Sequence, residues 1–223
     1  FRAILAFIVP ALAAWLLFTI LDWQAARTRS TADEAPDQTV PADPRTGWRL
    51  HLPALVSLPL NLLTWGVLFA TFWPMASMND TYHIIKEPLA VAGWHPLGYE
   101  VWLNLWVKAG TALTGGMTGG VILAGAVQLL LWMLVLAGVL FFLARRGTPR
   151  WMQWALVAYF ALNPIIANYS FATIKDSIFS LAVVALAPLL VIVWEDRGAS
   201  LSGVPFFCAL ATTLVAFAIF RNN

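Results

Sequence analysis

Between residues 121 and 143 the chain carries no charged side chain and a single side-chain amide, Gln128. A helix crosses a bilayer with ~20 mostly apolar residues, because the hydrocarbon layer is ~30 Å thick and the rise is about 1.5 Å per residue. Five further apolar runs have similar length, giving candidate spans at about 3–21, 53–73, 121–143, 151–171, 178–194 and 204–220. In lipid every backbone amide must find its partner internally, which favours helices. The strands of a membrane barrel are shorter and alternate in polarity, and these runs do neither. Composition agrees: 61% of residues are hydrophobic and 11% charged, against roughly 45–50% and about 25% in soluble domains. The predicted fold class is all-α integral membrane, with about six transmembrane helices and a long loop containing short interfacial helices.

Charge placement carries more information than the net charge of +2, which is too small to point to nucleic acid. Alternate connectors fall into two sets. One holds Arg27, Arg29, Arg45, Arg49, Arg145, Arg146, Arg150 and Arg197; the other holds Lys86, Lys108, Lys175 and Arg221. Positively charged short loops face the cytoplasm. The first set, including the Pro- and Asp-rich loop 23–50, is therefore expected inside, and the loop 75–120 is expected on the extracytoplasmic face of the cell membrane. Phe1 then begins outside and within an apolar run, so the chain reads as part of a longer protein. Cys208, alone within an apolar run, reads as a buried small hydrophobe, and no Cys/His cluster suggests structural zinc.

That orientation gathers Asn79, Asp80, His83, Glu87, His95, Glu100, Lys175, Asp176 and Arg221 on the outer side. Asp80 follows the second span closely, where a carboxylate suits a general base or a metal ligand; a loop Asp beside Asn79 equally suits an Asx turn. Residues 81–92 read as a short interfacial helix, with His83 one turn beyond Asp80. Pro96 holds His95 extended, and Trp94, Tyr99, Trp102 and Trp106 suit an aromatic belt or a sugar-stacking surface. Glu100 opens an apolar stretch, where a carboxylate is functional or paired by default. Downstream, NPIIANYSFATIKDSIF interrupts an apolar hairpin with Lys175 and Asp176. Lys175 suits a phosphate as a compact cation, Asp176 suits a helix cap, and Asn163, Pro164, Asn168 and Tyr169 make the fourth span polar and breakable. Arg221 suits either a phosphate or headgroup snorkelling.

Asp80, then Trp94-His95-Pro96, then Tyr169-Ser170 with Lys175-Asp176, then Arg221-Asn222 occur here in order and on one side. This series resembles the C-type (GT-C) membrane glycosyltransferases, and more closely a poorly characterised bacterial branch of them. The resemblance implies transfer of a sugar from a polyprenyl-phosphate donor to a cell-envelope glycan, lipid or protein acceptor on the outer face. It implies Asp80 as the catalytic base, with Lys175 and Arg221 holding the lipid phosphate. His83, His95, Tyr169 and Glu100 fall in the same substrate-binding region. Members divide into metal-dependent and metal-independent enzymes, and one Asp with His nearby fits either. Many carry a second acidic residue beside the loop Asp, where this chain has Asn79, which weighs against a divalent metal. The competing readings are a transporter or flippase, whose polar groups sit near the midplane on broken helices, and a non-catalytic membrane scaffold.

Overall fold

The computed structural model describes residues 51–74, 79–86 and 96–221; the side chains of Asn79, Asp80, His83, Lys86 and Arg221 lie outside that description. The expected span 3–21, the loop 23–50 and His95 also lie outside it. Every described element is helical: α1 (Leu52–Thr71), α2 (Asn79–Lys86), α3 (Leu97–Thr114), α4 (Met117–Arg145), α5 (Arg150–Leu162), α6 (Pro164–Phe171), α7 (Lys175–Glu195), a 3-10 turn (Ala199–Ser202) and α8 (Val204–Arg221). Among the described residues α1, α4 and α7 are long and apolar enough to cross a membrane, and the apolar stretch of α8 is shorter. Large apolar side chains such as Leu63, Val67, Leu190 and Phe207 are exposed on these helices. That is the outer surface a lipid solvent requires, and it marks a helical membrane protein.

Helix α4 is the axis of the bundle, packing against α1, α3, α5, α6 and α7, while α8 packs on α7 and α3. Lipid tails are as apolar as the helices, so association rests on close packing and interhelical hydrogen bonds rather than on a hydrophobic drive. The α3–α4 pair illustrates the packing term. A Cβ at Gly120 would strike the Val107 carbonyl, and one at Gly110 would lie 2.7 Å from the Gly120 Cα. The backbones touch because neither position carries a side chain. Gly115, at φ 75°, closes α3 in the left-handed region, and Gly116 starts α4.

At 29 residues, α4 is roughly 43 Å long, more than a hydrocarbon layer requires. Its register explains the excess. The Gln128 side-chain amide bonds Ser177 in the first turn of α7, and Arg146 just past the end of α4 pairs with Glu195 at the end of α7. Residues 128–145 thus run beside α7, and residues 117–127 project past its start, covered by α3.

The structure refines the sequence reading in four places. The expected loop 75–120 holds an 18-residue helix, α3, and its Gly-Thr-rich end is a tight helical hairpin. The expected span 151–171 is two helices, broken at Asn163. Asp176 lies in the first turn of α7, but the residue preceding that turn is Ile174 and no side chain caps it. Cys208 is exposed on α8 rather than buried, because among the described residues no helix covers that face of α8.

Candidate functional site

Chain breaks shape one end of the bundle. Pro164 has no N–H, so the Phe160 carbonyl one turn earlier loses its helical partner. The Trp65 indole N–H of α1 donates to it at 3.1 Å. Asn163 Oδ1 accepts from the Ile165 and Ile166 amides at 2.9 and 3.3 Å, restarting the chain as α6. After Phe171 the backbone leaves the helix at Ala172 and turns tightly about Thr173, where the Ile174 amide donates to the Ala172 carbonyl at 2.9 Å; Ala172 and Thr173 are both buried before α7 begins. Buried non-helical backbone needs hydrogen-bond partners. Gln128 Nε2 donates to the carbonyls of Tyr169 (3.1 Å) and Ala172 (2.8 Å) and to Ser177 Oγ (2.8 Å). Ser177 Oγ donates to the Tyr169 carbonyl and accepts from the Trp132 indole at 3.1 Å. Thr81 Oγ1 of α2 lies 3.1 Å from the Thr173 carbonyl and 2.8 Å from Thr173 Oγ1. Three helices therefore lock the turn that presents Lys175.

The same contacts gather distant stretches of chain. Thr81 stands next to Asp80, and its partner Thr173 is two positions before Lys175, so the first turn of α2 lies against the α6–α7 turn. Asn104 Nδ2 of α3 donates to the Ile84 carbonyl of α2 at 3.1 Å, one turn beyond Glu100. Gly98, at the start of α3, approaches Ile219 so closely that a Cβ there would lie 2.9 Å from the Ile219 carbonyl. Trp102 packs edge-on against Phe220, with ring centroids 6.5 Å apart. Ile84, Tyr99, Ile178 and Phe220 share one apolar cluster beneath these contacts. Chain positions 80, 100, 175 and 221, separate along the polymer, thus belong to one end of the bundle.

Individual placements follow from this frame. Lys175 is partly exposed in the first turn of α7, with Asp176 exposed beside it. Glu100 is partly exposed in the first turn of α3. Tyr169 contributes its carbonyl to the buried polar cluster, and its partly buried side chain packs against the apolar cluster that includes Trp65 and Phe171. Asp80 and His83 occupy positions in α2, and Arg221 is the last residue of α8; their side chains lie outside the described residues, as does His95. Among the described residues no group of three His, Cys, Asp or Glu is gathered to hold a metal ion.

A family model described as a family of unknown function, DUF6020, matches residues 81–220. The chain belongs to the DUF6020 family. The matched stretch takes in α2 through α8 nearly whole, and hence the Gln128 cluster, Glu100, Tyr169 and Lys175; Asp80 and Arg221 stand immediately beyond its two edges. No curated protein and no solved structure matches the chain. Within the DUF6020 region, sequence reasoning met Gln128 only as a single side-chain amide in an apolar run and did not single out Thr81 or Thr173. A lone amide in an apolar run was the available signal for Gln128. For the threonines there was none, because their partnership depends on a turn far away in the chain.

Proposed function

We propose that this DUF6020 chain is a membrane glycosyltransferase that moves a sugar from a polyprenyl-phosphate donor to a cell-envelope acceptor on the extracytoplasmic face. In this reading the α5–α6 pair acts as one interrupted span and α8 as another. With the segment 3–21 they bring the spans to six, and the α2–α3 region faces outward. Asp80 takes the proton of an acceptor hydroxyl, the hydroxyl oxygen attacks the anomeric carbon, and the bond from that carbon to the phosphate oxygen breaks. Lys175 and Arg221 neutralise the charge that grows on the departing lipid phosphate. His83, His95, Tyr169 and Glu100 bind the sugar and the acceptor around them.

One observation carries the reading: the Thr81–Thr173 hydrogen bonds, which join the helix bearing Asp80 to the turn bearing Lys175. A base and a phosphate-binding cation must share a site to act on the two sides of one glycosidic carbon. The supporting frame is rigid, since the turn's buried carbonyls are held by Gln128 and Ser177. The break at Asn163 favours a transporter as second reading, because transporters bind solute at interrupted helices. Trp65 already occupies the Phe160 carbonyl and Asn163 the Ile165 and Ile166 amides that this break frees, which weighs against it.

The test is transfer from a panel of polyprenyl-phosphate hexoses by the full-length protein in proteoliposomes. Asp80→Asn keeps the size of the side chain and removes the base. Transfer is expected to fall at least ~100-fold with unchanged thermal unfolding. Wild-type rates in that variant would overturn the assignment. Solute uptake by the wild type without any sugar transfer would establish the transporter instead.

A further inference from the structure

The sequence offers Trp94, Tyr99, Trp102 and Trp106 as an aromatic belt or a sugar-stacking surface. The structure uses most of these rings for packing. Tyr99 and Trp106 are 2% and 1% exposed. Trp102 packs edge-on against both Trp106 and Phe220, with ring centroids 5.5 and 6.5 Å away. Trp94 lies outside the described residues. The rings that stand open beside the Lys175 turn are two others, Phe72 and Trp73, at 50% and 60% exposure.

Their direction separates them from an ordinary interfacial belt. On α1 the exposed side chains are Leu62, Leu63 and Val67, whereas Trp65 is fully buried and Leu68 and Phe69 pack into its apolar cluster. Phe72 stands two turns beyond Trp65 and Trp73 one turn beyond Phe69, so both continue the bundle-facing stripe and not the lipid face. Helix α1 ends at Thr71, where the Phe72 amide donates to the Leu68 carbonyl at 3.1 Å. The Trp73 ring meets Phe69 edge-on at 6.0 Å, Phe69 meets Phe171 edge-on at 5.6 Å, and Phe72 leans on Phe171 at 6.2 Å. Phe171 is fully buried and ends α6. Two open rings thus overhang the start of the Lys175 turn on a packed aromatic base. Lys175 follows Phe171 by four residues, a separation of at most about 14 Å even for extended chain. The tight turn from Ala172 to Ile174 shortens it.

We infer that Phe72 and Trp73 form a platform for the hexose ring of the polyprenyl-phosphate donor, with Lys175 meeting its phosphate. For the identity of the ligand this rests on the transfer reading. A pyranose is amphipathic: its C–H face is attracted to the negative face of an aromatic ring, while its hydroxyl edge stays in water. A hexosyl phosphate joins a ring to be stacked and an anion to be paired in one short unit. An aromatic overhang with a cation a few residues away matches both. The isoprenoid chain is a poorer occupant, because α1 has ended here and the adjoining turn leads to a partly exposed lysine.

The test labels the full-length protein in nanodiscs with 5-fluorotryptophan and follows the Trp73 fluorine resonance, assigned by its loss in Trp73→Phe. Polyprenyl-phosphate glucose, mannose and galactose are compared with polyprenyl phosphate. The resonance is expected to move with at least one hexose donor and to stay in place with polyprenyl phosphate. Phe72→Leu combined with Trp73→Leu, at unchanged Tm, is expected to weaken binding of that donor about 10-fold and to leave binding of polyprenyl phosphate unchanged. A resonance unmoved by all three donors, one moved equally by polyprenyl phosphate, or wild-type donor affinity in the double variant would overturn the platform. Sugar transfer by the wild type beside any of those results leaves the enzyme reading standing. A donor-specific shift without transfer removes the enzyme reading and keeps the platform.

Discussion

The two ends of this bundle handle polarity in opposite ways. Toward the Lys175 end the chain abandons helix twice, and freed backbone groups are answered by side chains, those at the Asn163 break by Trp65 and Asn163 and those of the buried 172–173 turn by Gln128, Ser177 and Thr81. At the arginine end the turns are short and regular. Gly147 and Thr148 return their amides to the Ala144 and Leu143 carbonyls at 3.1 Å each, and the side chains of Arg146, Arg150 and Arg197 are exposed. Buried hydrogen bonds fix positions closely because leaving one unmade is expensive in a medium without water. Exposed charges fix little and create a field. The first arrangement suits chemistry, and the second suits attraction of a charged surface.

Substitutions sharpen the contrast. The largest stability loss is expected for Gln128→Leu, which removes the donor to the Ala172 and Tyr169 carbonyls and one bond to Ser177. About 2–3 kcal/mol should be lost, read by thermal unfolding in detergent, together with a fall in transfer as the Lys175 turn loosens. Gly120→Ala pushes a methyl group against the Val107 carbonyl in the α3–α4 hairpin. About 1–2 kcal/mol is expected, and a neutral result would mean that the two backbones are not in contact. Trp65→Phe keeps the ring and deletes the donor to the Phe160 carbonyl, for about 1 kcal/mol. The smallest effect belongs to the arginine end. Glu195→Gln breaks an ion pair whose partners are 34% and 47% exposed, and a loss below about 1 kcal/mol is expected. Should this change cost more than Gln128→Leu, the contrast between the ends would be wrong.

The parts legible in the sequence were those with local causes. The long apolar runs fixed the courses of α1, α4, α7 and α8 because helix formation in lipid needs only continuity of apolar residues. The break in the fourth span was legible from Asn163-Pro164, since proline withdraws an amide wherever it stands. Helix α3 was hidden because Glu100, Asn104 and Lys108 dilute its apolar pattern, and Gly115-Gly116 imitates the end of a loop. That the start of α2 should share an end of the bundle with the turn before Lys175 was expected from sidedness alone. Its physical cause, a threonine pair 92 residues apart in sequence, is tertiary. Gln128 was underread for the same reason, its acceptors lying 41 to 49 residues downstream.

The measurement that bears most directly on the two-ended arrangement is cysteine labelling from outside intact cells. It uses a Cys208→Ser background, because Cys208 is exposed. Asp176 and Arg150 are both exposed and lie at opposite ends of the bundle. A membrane-impermeant maleimide is expected to label Asp176→Cys directly, and Arg150→Cys only after permeabilisation. Labelling in the reverse order, or of both from outside, would contradict the proposed orientation, with the Lys175 end extracytoplasmic and the Arg150 end cytoplasmic.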